Sequence, residues 1–152
     1  MSGPGETPGR PRRLNLLRFE VGGACFAVES SQIAALLPFP GPGESSATWF
    51  HQALAYAETP AYRAPVLAVV PMEDGPPRQL VMDALDELLD VGLDEIQPFP
   101  PLIEPFALRK GLWGVLPRGH QTVLLVDLRR LFAPPRPVDA GPGSESASRR
   151  LP

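Results

Sequence analysis

The segment from Pro65 to Phe132 restricts the fold most, because it contains two β-hairpin patterns joined by an acidic connector. Its first half has a short apolar strand at residues 66–70 and a turn signal at Glu73-Asp74-Gly75. The returning strand is predicted at residues 78–85. This order of strand, turn and strand is typical of an antiparallel hairpin.

The second half of the segment predicts another hairpin and a closing helix. Residues 111–117 and 121–127 are its strands, and Arg118, Gly119 and His120 form the turn. Residues 127–132, with the sequence DLRRLF, predict a helix of one or two turns whose apolar side chains face inward. Between the two hairpins, residues 86–101 alternate too loosely to predict a strand or a helix.

A third hairpin pattern occupies residues 14–29. Apolar and charged side chains alternate from 17 to 21, and Gly22-Gly23 supplies the positive φ angles of a tight turn. The alternation continues on the returning strand, so Cys25 and Phe26 face opposite sides. Cys25 is expected to pack as a small apolar residue, because no His or basic residue lies beside it in the sequence.

Two short helices are predicted in the next part of the chain. Residues 30–37, SSQIAALL, have apolar side chains at helical spacing, a serine N-cap and Pro38 as terminator. Residues 38–48 are predicted to form a loop. A second helix is predicted from about 49 to 58, with Thr48 as its N-cap. With about six or seven short strands and little helix, the fold class is all-β, a barrel or a sandwich.

The two ends of the chain differ from this pattern. The sequence of 152 residues contains 21 prolines and 14 glycines, and residues 1–13 and 133–152 are rich in both, together with small polar residues. Both ends are therefore predicted to be disordered tails. The predicted folded domain, residues 14–132, is large enough for a hydrophobic core but small for two independent domains.

Charge and cysteine content exclude several classes of protein. The net charge is −3 and the pI is about 5.4, which argues against a nucleic-acid surface. Cys25 is the single cysteine, so a disulfide framework is excluded and a reducing compartment is expected. The N-terminus has no apolar core typical of a secretory signal, and the longest apolar run is far below the ~20 residues of a membrane span. We therefore expect a cytoplasmic protein.

No catalytic, cofactor-binding or metal-binding pattern is present in the sequence. The two histidines, His51 and His120, have no Cys, His or carboxylate at the spacing of metal ligands. The serines do not lie in a nucleophile elbow, and no glycine pattern matches a phosphate-binding loop. The carboxylates between Asp83 and Glu95 predict a solvated acidic rim, or alternatively an electrostatic guide for a basic partner.

Three segments, taken in order, resemble the CheW-like domain, the coupling module of bacterial chemosensory arrays. Residues 17–37, LRFEVGGACFAVESSQIAALL, are similar to the opening of that family: a strand, a glycine turn, an aromatic-bearing strand and a short helix. Residues 66–100 resemble its next strand pair and linker, and residues 110–132 resemble its closing hairpin and helix. The aspartate, isoleucine and proline of the family are matched by Asp83, Ile96 and Pro98.

The resemblance implies two intertwined small β-barrels with a hydrophobic groove between them. Members of the family join chemoreceptor tips to the regulatory domain of a histidine kinase. Residues 38–65 depart from the family because they lack its Asn-Leu-Arg-Gly segment, which supplies two strands of the first barrel and an arginine associated with signalling contacts. The first barrel is therefore expected to be incomplete or remodelled, with the helix at 49–58 covering its exposed strand edge.

The resemblance implies a divergent or accessory adaptor without enzymatic activity. It is expected to bind the cytoplasmic tip of a chemoreceptor, with weak or no binding to the histidine kinase, and to be recruited to chemosensory clusters. Neither nucleic acid nor direct membrane insertion is expected. The apolar residues expected near the groove, where a receptor helix could bind, are Ile33, Ala35, Leu36, Leu85 and Leu88.

Two alternatives stay open. The first is a complete coupling protein that links receptor to kinase, with the loop and helix of residues 38–58 replacing the lost strands. For either adaptor, the resemblance implies the kinase regulatory domain or another CheW-like protein as a further candidate partner. The second is an unrelated all-β enzyme or small-ligand binder. That protein would need a closed apolar cavity containing buried His51 or Asp83.

Overall fold

The computed structural model describes residues 12–41, 43 and 46–132, which form nine strands and three short helices. The strands are β1 (Arg13–Val21), β2 (Ala24–Glu29), β3 (Ala35–Pro38), β4 (Thr48–Trp49), β5 (Pro65–Val70), β6 (Arg78–Asp83), β7 (Glu87–Gly92), β8 (Leu112–Arg118) and β9 (Gln121–Val126). The helices are α1 (Phe50–Ala53), α2 (Glu104–Arg109) and α3 (Leu128–Phe132). The predicted all-β class is confirmed. The predicted tails, 1–13 and 133–152, lie outside the described residues except for Arg12 and Arg13.

The first sheet has the strand order β7-β1-β2-β9-β8. The β1–β2 hairpin turns at Gly22 and Gly23, whose φ angles of +63° and +84° confirm the predicted turn. After β7 the chain crosses to the opposite edge, where the backbone N–H groups of Gln97 and Val115 donate to each other's carbonyl at 2.8 Å. This bridge closes the first sheet into a small barrel, called the closed barrel below.

The second sheet has the order β3-β5-β6-β4 and is only half of a barrel. β5 and β6 form the predicted hairpin, and the two-residue strand β4 runs parallel to β6. Pairing across the sheet places one row of side chains on the face opposite the closed barrel: Leu37, Leu67, Val81 and Trp49. Leu67 and Val81 of this row are buried. This half-barrel is the incomplete first barrel that the sequence predicts.

Two hydrophobic cores share the N-terminal hairpin. Inside the closed barrel, all five strands contribute to the barrel core: Leu16, Cys25, Ala27, Leu89, Val91, Leu116, Val123 and Leu125. The residues between the two sheets, called the inter-sheet core, include Phe19, Phe26, Phe50, Ala68, Leu80, Met82, Val126 and Leu128. Because side chains alternate along a strand, β1 and β2 send one set into each core. The two barrels are intertwined through this hairpin.

The predicted helix over residues 30–37 is wrong. A single 3-10 turn covers Ser30–Gln32, and neither serine side chain caps it. The backbone N–H of Ala34 instead donates to Val69 at 2.8 Å, and residues 35–38 pair with β5 as β3. Pairing with a distant strand therefore outweighs the local helical spacing. Pro38 ends an edge strand, where its missing N–H is tolerated.

The predicted helix over 49–58 is much shorter than expected. Thr48 and Trp49 belong to β4, so Thr48 is not the N-cap, and α1 ends where Ala55 takes a positive φ of +61°. The helix also does not cover the exposed edge, because it lies beside β4 while the β3 edge stays open.

The loosely alternating connector contains an unpredicted strand, β7. Leu89 and Val91 point into the barrel core, whereas Leu88 and Asp90 point outward.

Gly114 lies where the barrel closes, and Gly114→Ala is expected to destabilise the protein by about 1–3 kcal/mol. A Cβ at this position would lie 2.8 Å from Cγ2 of Ile96 and 3.5 Å from the carbonyl oxygen of Gln97. Urea unfolding measures the loss. Ile96→Ala removes the clashing atom, so the double variant should be more stable than the sum of the two single changes predicts. Strict additivity would show that no clash exists.

Candidate functional site

The five residues predicted to bind a receptor lie on the margins of the two sheets. Ile33 follows the 3-10 turn and packs against the inter-sheet core, and Ala35 and Leu36 lie on β3. Leu85 lies between β6 and β7 and also packs against the inter-sheet core, whereas Leu88 lies on β7. The structure therefore groups Ile33, Ala35 and Leu36 on the half-barrel, and Leu85 with Leu88 at the edge of the closed barrel.

The β3 edge is the open margin of the half-barrel. Among the described strands, β3 pairs with β5 alone. All four of its residues are exposed, including Leu36 at 44% and Leu37 at 42%. The unpaired N–H and C=O groups of an edge strand can bind another strand, and the two leucines add apolar contact area.

The second margin is formed by β7. Leu88 is 65% exposed and lies opposite Leu17 of β1. Exposed carboxylates of Glu87 and Asp90 flank it. An apolar residue among carboxylates suits a partner helix that carries apolar and basic side chains. The predicted acidic rim is thus largely present, but Asp83 is buried and does not belong to it.

The Arg18 side chain contacts residues of β1, β2, β9 and the connection between β6 and β7, at one end of the closed barrel. Its guanidinium donates to Asp86 at 2.6 Å and to Glu20 at 3.0 Å. It also donates to the side-chain oxygen of Gln121 at 2.7 Å and to Sγ of Cys25 at 3.0 Å. The hydrogen bond with Asp86 is the main factor that raises the pKa of Arg18, so the guanidinium stays charged. Only 11% of the Arg18 side-chain surface is exposed.

The contact between Arg18 and Cys25 corrects the expectation that no basic residue lies beside this thiol. The two side chains meet across the β1–β2 pair, where Glu20 is opposite Cys25. Burial nevertheless raises the pKa of Cys25, although Arg18 acts in the opposite direction. The predicted burial of Cys25 is confirmed, and the raised pKa makes the thiol a poor nucleophile.

His51 and Asp83 are the buried polar residues of the described ranges, and both have structural partners. The carboxylate of Asp83 accepts hydrogen bonds from the backbone N–H groups of Arg63 at 3.0 Å and Ala64 at 2.7 Å. Nδ1 of His51 lies 3.0 Å from the hydroxyl oxygen of Tyr62, and burial lowers the pKa of this histidine. The hollows beside these two residues open to solvent, so the closed cavity needed for a small-ligand enzyme is not formed there.

Clustered metal ligands and helices that could span a membrane are both absent from the part of the chain that the structure describes. No group of three or more His, Cys, Asp and Glu side chains there could hold a metal ion. No helix within the same residues has the length and apolar character needed to cross a membrane.

A third exposed apolar patch precedes and includes the start of α2, and the sequence reasoning missed it. Leu102 is 84% exposed, Ile103 47% and Phe106 59%. The guanidinium of Arg109 lies 4.9 Å from the ring centre of Phe106. The sequence contained a signal for this patch, because Leu102, Ile103 and Phe106 have the spacing i, i+1 and i+4 of one helix face. They lie in a proline-rich stretch that cannot fold back to bury this face.

Comparisons with known proteins show the fold. No family model matches the chain, and no curated protein matches it. Among solved structures, the chain is similar to the scaffolding protein TtCheW from Thermoanaerobacter tengcongensis, with a TM-score of 0.64 and 12% sequence identity. The similarity covers 86% of this chain and 95% of that one. The fold is therefore CheW-like, and at this identity the likeness extends to the fold alone.

Proposed function

We propose that the chain is a non-catalytic adaptor of a bacterial chemosensory array, located in the cytoplasm. It binds the cytoplasmic tip of a chemoreceptor and binds the histidine kinase of the array weakly or not at all. The observation that carries the proposal is the CheW-like fold together with the apolar residues on the two sheet margins. Other CheW-like proteins are further candidate partners.

Receptor binding is assigned to the margins that carry Ile33, Ala35, Leu36, Leu85 and Leu88. Ile33 and Leu85 pack against the inter-sheet core, Ile33 near the end of β5 and Leu85 near its start. Leu36 and Leu88 are more exposed, and each can contact an apolar side chain of a receptor helix.

Leu88→Asp is expected to weaken binding of a purified receptor cytoplasmic domain by about tenfold or more. The substitution removes apolar surface worth roughly 1.5–3 kcal/mol when a partner covers it. Isothermal titration calorimetry gives the two affinities. Leu102→Asp is the matched control, because Leu102 is still more exposed but lies on the patch at α2. Equal losses for the two variants, or no loss for Leu88→Asp, would contradict the assignment.

Weak kinase binding is supported by the half-barrel, since the strand pair expected from the family segment is reduced to β4. The same calorimetry with a purified kinase regulatory domain should give an affinity at least tenfold below that for the receptor domain. Tight binding to the kinase alone would overturn the proposed function.

One observation favours the alternative of a complete coupling protein. β4 adds a fourth strand to the half-barrel, and Phe50 of α1 fills the inter-sheet core beside it. These elements are a partial replacement for the lost strands. This alternative requires a ternary complex with receptor and kinase, together with stimulated autophosphorylation of the kinase in vitro. Without that stimulation, the accessory role is retained.

A further inference from the structure

A three-residue segment joins β6 of the half-barrel to β7 of the closed barrel. It consists of Ala84, Leu85 and Asp86, and we call it the β6–β7 connection. Leu85 is its middle residue, and Leu88 is the second residue of β7. The path of this connection therefore sets where both proposed receptor-binding residues of the second margin lie.

Packing covers the β6–β7 connection only in part. Leu85 packs against the inter-sheet core but is only partly buried, and Asp86 is exposed. A hollow of about 240 Å³, open to solvent, lies along all three residues. A segment with few buried contacts opens readily unless hydrogen bonds hold it. The bonds at the two ends of the connection therefore decide how firmly it is held.

Each end of the β6–β7 connection is bonded to a different sheet. On the half-barrel, the backbone N–H of Ala84 donates to the carbonyl of Ala64 at 3.0 Å. On the closed barrel, the backbone N–H of Asp86 donates to the carbonyl of Arg18 at 2.8 Å. The guanidinium of the same arginine donates to the carboxylate of Asp86 at 2.6 Å. Arg18 thus holds Asp86 through both its backbone and its side chain.

The guanidinium of Arg18 is itself held in place by other strands. It donates to Glu20 on β1, to Cys25 on β2 and to Gln121 on β9. An exposed ion pair gains little because two mobile side chains must be ordered to form it. Here the arginine is already ordered by three further acceptors, so its charge-assisted hydrogen bond to Asp86 holds the connection more firmly than a free surface pair would.

We propose that Arg18 is a positioning residue for the receptor-binding margin that carries Leu85 and Leu88. It acts through Asp86 and the β6–β7 connection, not by contact with the receptor. Without this bond the connection gains conformations that receptor binding must remove, and the lost entropy lowers the affinity. Since Leu85 and Leu88 bind a receptor only if the proposed function is correct, the role of Arg18 rests on that function.

Arg18→Met keeps an apolar side chain of similar length but removes every donor of the guanidinium. In isothermal titration calorimetry, binding of a purified receptor cytoplasmic domain to the full chain should weaken about two- to tenfold. Asp86→Ala should give a loss of the same size. Glu20→Ala is the matched control, because it removes from the same guanidinium a carboxylate outside the connection. This control should change the affinity less than about twofold.

The double variant distinguishes positioning from direct contact. Once Arg18→Met has removed the bond, adding Asp86→Ala should cause no further loss of affinity, because both changes break the same interaction. An Asp86→Ala loss of equal size in the presence and absence of Arg18 would mean that Asp86 contacts the receptor directly. That result would overturn the proposal.

Hydrogen exchange in the chain alone separates a local effect from a general loss of stability. The amide of Asp86 should exchange at least about fivefold faster in Arg18→Met. The amide of Gln97, which donates to Val115 at 2.8 Å where the barrel closes, should be accelerated much less. Equal acceleration of both amides would overturn the proposal, because Arg18 would then stabilise the whole barrel without positioning the connection.

Failure of this role can be told from failure of the proposed function. If the unmodified chain binds the receptor domain and Arg18→Met binds it equally well, Arg18 has no positioning role and the proposed function stands. If the unmodified chain does not bind the receptor domain, the proposed function is overturned, and the role of Arg18 in it is overturned as well.

Discussion

Phe50→Ala is expected to lower the free energy of unfolding by about 3–5 kcal/mol, as typical for a buried phenylalanine. The side chain of Phe50 is fully buried in the inter-sheet core. Its ring centre lies 5.0 Å from that of Phe19 and 4.9 Å from that of Phe26, both in edge-to-face arrangements. The substitution therefore leaves a cavity and removes two ring contacts at once. Since domains of this size are stable by about 5–15 kcal/mol, most of the stability could be lost.

Phe106→Ala is the matched control for this measurement. The same side chain is removed, but Phe106 is 59% exposed on α2 and contacts Arg109 at the surface. Its loss should change the free energy of unfolding by less than about 1 kcal/mol. Denaturant titrations followed by circular dichroism compare the two variants. Equal destabilisation would mean that Phe50 does not join the sheets as described.

Asp83→Ala is expected to cost about 2–4 kcal/mol of stability, because two backbone N–H groups lose a charged acceptor. Asp83 is buried at the end of β6, and its two oxygens hold Arg63 and Ala64 just before β5 begins. In the variant these N–H groups have no acceptor from this side chain. The unfolding free energy measures the loss, and hydrogen exchange at Arg63 and Ala64 should become faster.

Two further variants separate this role from the effect of charge. Asp83→Asn keeps one carbonyl oxygen as an acceptor. Its free energy of unfolding should therefore lie between those of wild type and Asp83→Ala. Asp90→Ala removes a carboxylate that is 66% exposed and pairs with Arg13 at 3.2 Å. That change should cost less than about 1 kcal/mol. A neutral result for Asp83→Ala would show that the two hydrogen bonds do not hold the segment.

The hairpins could be predicted because their determinants are local. The turn residues Gly22 and Gly23 have the required positive φ, and alternation along β1 and β2 separates the two cores. The helix predicted at 30–37 is wrong because its competitor is distant: β5, which pairs with β3, begins at Pro65. The sequence of an edge strand with both faces exposed can show the same spacing of apolar residues as a short helix. The two can be distinguished only when the partner strand is known.

Prediction of the candidate site from the sequence was limited by the same dependence on distant pairing. Exposure of Leu36 and Leu88 follows from the positions of β3 and β7 at sheet edges, which no local pattern reveals. The contact of Arg18 with Cys25 depends on cross-strand register. Burial of Asp83 depends on a segment 19 and 20 residues away in the chain. Each of these properties needs the topology first.

The parallel pairing of β2 with β9 has a consequence for the order in which the chain gains structure. During synthesis β1 and β2 emerge early, and their hairpin can form at once because its turn is local. The place beside β2 is filled only when Val123 and its neighbours have been made. Until then the face of the hairpin that carries Ala27 stays largely uncovered, whereas α1, β5 and β6 can already cover the face that carries Phe26. The barrel core is therefore completed later than most of the inter-sheet core, and the Ala27 face of the nascent hairpin is the part that most needs protection from aggregation.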